Sequence, residues 1–141
     1  MISKSTILRF IPFFILSSSA SLSQADVGIV GEWSGTDSDG DTASFIFNAD
    51  NSAEVKFEGV PRLSTHTMTN GEVSWCSDST PDPIHVDIII VRDSTEVSRI
   101  RMVAQLIDDG TLKLQISRDM VTRPKGFKMN DKVFQLLATR Q

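Results

Sequence analysis

From Ile29 to the C-terminus, apolar and polar side chains alternate with a period of two, in short runs broken by turn residues. That period places successive side chains on opposite faces of an extended strand. Ile29 to Gly35 reads as a first strand centred on Trp33. Ala43, Phe45 and Phe47 share one face of the next run, and Val55 and Phe57 return across Asn48-Ala49-Asp50-Asn51-Ser52 as the second arm of a hairpin. Pro61 closes this unit, because proline cannot donate to a central ladder.

Thr65–Thr69 and Glu72–Cys76 flank Asn70-Gly71, a strong short-range hairpin signal. Val73 and Trp75 share a face there, and Cys76 points the other way as a small, half-buried side chain. Ile84, Val86, Ile88 and Ile90 line one side of the most apolar strand. Ile100, Met102, Ala104 and Leu106 do so on the run from Val97 to Ile107. Asp108-Asp109-Gly110 turns into Thr111–Ile116, and a loop holding Arg123-Pro124 precedes a last strand over Lys132–Thr139. This pattern predicts a single all-β, up-and-down antiparallel barrel of about eight or nine strands, whose closure removes exposed sheet edges.

The first residues follow a different rule. Lys4 and Arg9 precede the short apolar run Phe10–Leu16, and Ser23-Gln24-Ala25 places small residues before a cut. Residues 1–25 therefore read as a secretory signal peptide, with a second cleavage pattern at Ser18-Ser19-Ala20. Residues 26–141 form the mature domain, exported to the periplasm or the extracellular space. The apolar run is shorter than the roughly 20 residues a membrane span needs, and Pro12 interrupts it. With Cys76 as the single cysteine, no intrachain disulfide supports the fold, and stability rests on apolar burial.

Charge is distributed unevenly. Residues 26–96 carry 14 acidic against 3 basic side chains, and residues 97–141 carry 4 against 9. The overall acidic balance argues against nucleic acid, whose phosphates require a basic face. Within a barrel the two segments pair with each other, while an acidic rim attracts a cationic protein partner.

Several motifs lie within this frame. Gly31-Glu32-Trp33 is followed by Pro83-Ile84-His85-Val86-Asp87-Ile88, Asp109-Gly110-Thr111-Leu112-Lys113-Leu114, Arg123-Pro124-Lys125-Gly126-Phe127 and Arg140. In this order they resemble a group of small, exported, lipocalin-like bacterial proteins abundant in planctomycetes. The resemblance spans the whole mature domain and implies a lipocalin-like barrel, without implying a reaction. It also implies structural roles for Gly31, Trp33 and Arg140 at one barrel end, the arginine lying across the indole as a cation–π contact.

Candidate chemistry is sparse. Asp37, Asp39 and Asp41 alternate around Gly40, which suggests a calcium loop. Counted from Asp37, however, the glycine falls at the fourth position and Asn48 at the twelfth, against the EF-hand pattern. A solvated hairpin loop with local Asx turns fits better, leaving weak calcium binding as the minor alternative. His66 and His85 fall on different predicted strands, without the three or four ligands of a zinc site.

Arg123 has two readings, a contact to an anionic ligand group at a barrel mouth or an ion pair with an acidic neighbour. Phe45, Phe47, Phe57, Met68, Trp75, Ile88, Met102 and Leu114 are expected to line the interior. A small barrel either fills that space with side chains or leaves room for one apolar ligand. The expectation is a non-enzymatic exported binding protein without a cofactor, holding a small hydrophobic molecule in the barrel. The alternative is an inhibitor or immunity protein that turns acidic loops toward a basic enzyme. A hydrolase or isomerase at the barrel mouth ranks third.

Overall fold

The computed structural model describes residues 27–141. The signal-peptide reading of residues 1–25 lies outside the described residues. Eight strands follow in order: β1 Gly31–Asp37, β2 Thr42–Phe47, β3 Ala53–Phe57, β4 Gly71–Asp78, β5 Ile84–Arg92, β6 Thr95–Asp108, β7 Thr111–Ser117 and β8 Val133–Arg140. They form one antiparallel sheet in the order β3-β2-β1-β8-β7-β6-β5-β4, the up-and-down arrangement that the alternating pattern predicts. Among the described residues, no helix is long and apolar enough to cross a membrane.

The ring closes twice, in unlike ways. β1 and β8 pair over five register positions, from Trp33↔Arg140 to Asp37↔Leu136. The β3 and β4 sides instead meet at one isolated bridge, between Ser52 just before β3 and Ser74 of β4, beside which the Trp75 amide donates to Asn51 O at 2.9 Å. The rest of that seam is filled by the segment that crosses from β3 to β4. There Val55 and Leu63 exchange two backbone hydrogen bonds of 2.9 and 2.8 Å.

This segment corrects the hairpin expected around Asn70-Gly71. Thr65–Thr67 is a single 3₁₀ turn, and His66 lies on it, away from any strand. The reason is local. Thr67 Oγ1 accepts from the Ser64 amide at 2.9 Å and donates back to nearby carbonyls, an ST-type arrangement that competes with extended pairing. Asn70 does adopt the left-handed conformation, with φ of 54°, but it leads into β4, whose partner is β5. Gly71 leaves no room for a side chain: a Cβ there would meet Met68 Cβ at 2.8 Å and the Val91 carbonyl oxygen at 3.0 Å. The first strand also starts later than expected, at Gly31, after a 3₁₀ turn over Val27–Ile29.

A second feature is visible only in the structure. Residues 118–132 run back over the outer wall of β6 and β7 instead of crossing open solvent. Gln115 Nε2 donates to Lys128 O at 2.9 Å, Arg101 Nη1 donates to Val121 O at 3.0 Å, and Lys113 Nζ sits 4.7 Å from the Phe127 ring centroid. Under this strap the outward-facing Val103 and Gln115 are each 1% exposed. Around Val103 and Gln115, β6 and β7 are therefore covered on both faces, which a strict inside–outside alternation does not anticipate.

Candidate functional site

The barrel has three regions of functional interest: its interior, its two ends and the strapped outer wall. Inside, Phe45, Phe47, Trp75, Ile88, Met102 and Leu114 are fully buried. Phe57 and Met68, predicted as lining, are half-buried and pack against the core from one end. The rings touch each other: Phe45 stacks on Phe47 with centroids 5.9 Å apart, Phe47 meets Trp75 at 5.1 Å, and Phe57 stands edge-on to Phe45 at 5.8 Å. Trp75 Nε1 donates to Asn48 O at 2.9 Å, so its polar edge is satisfied without a ligand. The residues expected to line a cavity are here packed against one another.

At one end, Trp33 is completely buried and its Nε1 donates to Ile29 O at 2.9 Å. The Arg140 guanidinium lies over the indole, with Cζ 4.3 Å from the ring centroid. Its N–H groups donate to three backbone carbonyls: Asp109 at 2.8 Å, Val30 at 2.7 Å and Gly28 at 3.0 Å. Gly31 makes room for it. Its φ is +140°, and a Cβ there would stand 2.6 Å from Arg140 Nη1.

The opposite end carries the aspartates. Asp37 Oδ1 accepts from the amides of Asp39 (2.8 Å) and Asp41 (3.0 Å), folding the β1–β2 connection into an Asx turn. Asp39 is held by Arg118 through two hydrogen bonds of 2.6 and 2.9 Å, and that guanidinium also faces the Phe134 ring at 6.0 Å. Glu58 Oε1 accepts from the Thr42 amide and hydroxyl at 3.0 and 3.1 Å.

Asp37, Asp39, Asp41 and Glu58 rim a notch of about 200 Å³ whose apolar lining comes from Phe57, Met120 and Phe134. The hydrogen bond from Arg118 holds the Asp39 carboxyl below its ordinary value, and Thr42 does the same for Glu58. Asp41 is pushed the other way, first by desolvation and then by the charges of Glu58 and Asp37. Asp37 Oδ1 is engaged in the turn and both Asp39 oxygens are engaged by Arg118. Among the described residues, no three His, Cys, Asp or Glu side chains converge as metal ligands.

Arg123 lies on the outer wall, away from either mouth. Its Nη2 is 2.7 Å from Asp87 Oδ1, although its N–H is not aligned as a hydrogen bond to that oxygen, and Nη1 donates to Met102 O at 2.9 Å. Arg99 Nη1 donates to Asp87 Oδ2 at 3.0 Å and also grips Glu96, which raises the Arg99 pKa further above its already high ordinary value. Asp87 is only 7% exposed, so two guanidinium groups serve one nearly buried carboxylate.

Cys76 sits opposite Asp87 in the β4–β5 register and is exposed, a correction to its expected half-burial: its side chain points outward from the strand, away from Trp75 and the core. Local desolvation and the Asp87 charge still raise its thiol pKa, which disfavours the reactive thiolate. His85 lies opposite Asp78 on the same wall.

The Asp87 cluster was not legible as a unit in the sequence. Outward positions on β5 and β6 were predicted, but the register joining Asp87 to Arg101 and its diagonal neighbour Arg99 was not, nor was the path that delivers Arg123. Compared with family models, curated proteins and solved structures, the chain matches none.

Proposed function

We propose that residues 26–141 form an exported, non-enzymatic binding protein that receives a cationic group of a partner protein at the Asp37–Asp41 end of the barrel. The observation that carries this reading is the notch itself, where Asp37, Asp41 and Glu58 stand beside the Phe57 and Phe134 rings. Arg118 is the one cation among the notch-lining residues, and it is already bound to Asp39. A lysine or arginine side chain suits such a place. Its charge meets carboxylates and its methylenes lie on apolar surface.

The other reading, an apolar molecule inside the barrel, draws less support, since Phe45, Phe47 and Trp75 occupy that space. Calorimetric titration with a tetralysine peptide is the direct test. Binding should weaken roughly tenfold between low and physiological salt, and Asp41→Lys should abolish it. Binding that ignores both salt and Asp41→Lys would refute the proposal. A lipid co-purifying with the folded protein in native mass spectrometry would return the preference to the interior.

A further inference from the structure

The described residues include seven arginines, and five are committed to partners within the chain. Arg99 and Arg123 share Asp87, Arg118 holds Asp39, Arg101 donates to Val121 O, and Arg140 donates to three carbonyls. The remaining two are Arg62 and Arg92. Arg62 makes one long contact of 3.4 Å to Glu54, with its side chain 46% exposed. Arg92 makes no side-chain ion pair or hydrogen bond among the described residues. Both line the same open concavity of about 590 Å³, at the end of the barrel where the β3–β4 crossing segment meets the β5–β6 turn.

The walls are suited to an amphiphile. Pro61, Leu63 and Met68 supply apolar surface, and Asp93 is the one carboxylate among the lining residues, with Glu54 reaching Arg62 from outside the lining. The frame is also fixed. Leu63, next to Arg62, is tied to β3 by two backbone hydrogen bonds, and Arg92 ends β5 opposite Gly71. The Asp93 amide donates to Asn70 O at 2.9 Å, joining the two sides of the concavity. A volume in this range matches small-ligand sites, and two guanidinium groups of low prior commitment favour a planar anion.

We infer that this concavity binds a carboxylate carried on a short apolar body, with Arg62 and Arg92 on the anion and Leu63 and Met68 against the chain. The site shares no lining residue with the Asp37–Asp41 notch and does not depend on that reading.

Hexanoate, 1-hexanol and inorganic phosphate are the probes, titrated into the ¹⁵N-labelled chain and followed by amide chemical shifts. Hexanoate should move the amides of Leu63, Asn70 and Arg92, and hexanol and phosphate should each bind at least fivefold more weakly. Arg62→Gln and Arg92→Gln should each weaken hexanoate severalfold, and the double variant should lose it while keeping the wild-type melting temperature. Hexanol binding as tightly as hexanoate would overturn the assignment, as would equal affinity of the double variant or shifts mapping elsewhere. Phosphate binding as tightly as hexanoate would overturn the apolar half of it.

Discussion

Arg140 lies across Trp33 with its guanidinium carbon 4.3 Å from the indole centroid, and the two residues are direct register partners on β8 and β1. The contact therefore joins the first strand to the last at the place where the ring of strands closes. Arg140→Ala removes the cation–π contact and leaves three carbonyls without their charged donor. It should cost about 2 kcal/mol in urea unfolding and shift Trp33 emission to the red. Unchanged stability together with unchanged emission would remove Arg140 from any structural role.

Gly31→Ala attacks the same closure from the other side. The substitution forces a Cβ into a left-handed backbone and against Arg140 Nη1, for a loss of about 2 kcal/mol. In a double-mutant cycle with Arg140→Ala the two losses should be clearly less than additive, since the clash disappears with the arginine. Full additivity would mean that only the backbone conformation matters.

Asp87 supports the strap. Asp87→Ala leaves Arg99 and Arg123 facing each other across a nearly buried site, at a cost of about 3 kcal/mol or more. The strap should then loosen before the barrel does, so limited proteolysis is expected to cut within residues 119–130 of the variant and not of the wild type. Resistance equal to the wild type would show that Gln115 and the Lys113–Phe127 contact hold the segment without the ion pairs.

Phe47→Ala tests the packed interior. Its ring contacts both Phe45 and Trp75 and is fully buried, so removal should cost about 3–5 kcal/mol, with little relief from relaxation. A loss below about 1 kcal/mol would mean that the interior is loose enough to admit a ligand.

Acid titration separates two kinds of carboxylate. Asp39, Glu58 and Asp119 have lowered pKa values through bonds to Arg118, Thr42 and Thr122 respectively. Each adds stability that is complete above the unfolded carboxylate range near pH 4 and disappears as pH falls through the lower folded value. Asp41 runs the opposite way, because its folded pKa is raised by desolvation and by Glu58 and Asp37. Its ionisation opposes folding as pH rises through that value. Asp41→Asn should therefore stabilise the chain at neutral pH, and the gain should shrink in acid. A gain independent of pH would point to a cause other than charge.

Alternation made most of this architecture legible. Every interior position on β2 and β5 was placed on its correct face, since a period of two leaves no other assignment once one face is apolar. Other features lay beyond that signal. Thr65–Thr67 turned because a hydroxyl network outweighed extended propensity, and the strap hid Val103 and Gln115 on a face that the pattern assigns to solvent. Arg62 and Arg92 lie 30 positions apart, and only the β3–β4 crossing segment brings them to one concavity. The acidic loop was visible as residues, but its apolar lining depends on Phe57 and Phe134 meeting from distant strands, with centroids 6.4 Å apart.

The pairing of Leu63 with Val55 also bears on how copies of this chain behave toward one another. Where β3 and β4 separate, β3 would offer unpaired amides and carbonyls, a template on which a second copy could add a strand. The two hydrogen bonds from Leu63 occupy that template, and Pro61 and Arg62 beside them give an incoming strand neither a continuous row of donors nor a neutral surface. The crossing segment thus protects the barrel against edge-to-edge aggregation at its least securely closed seam.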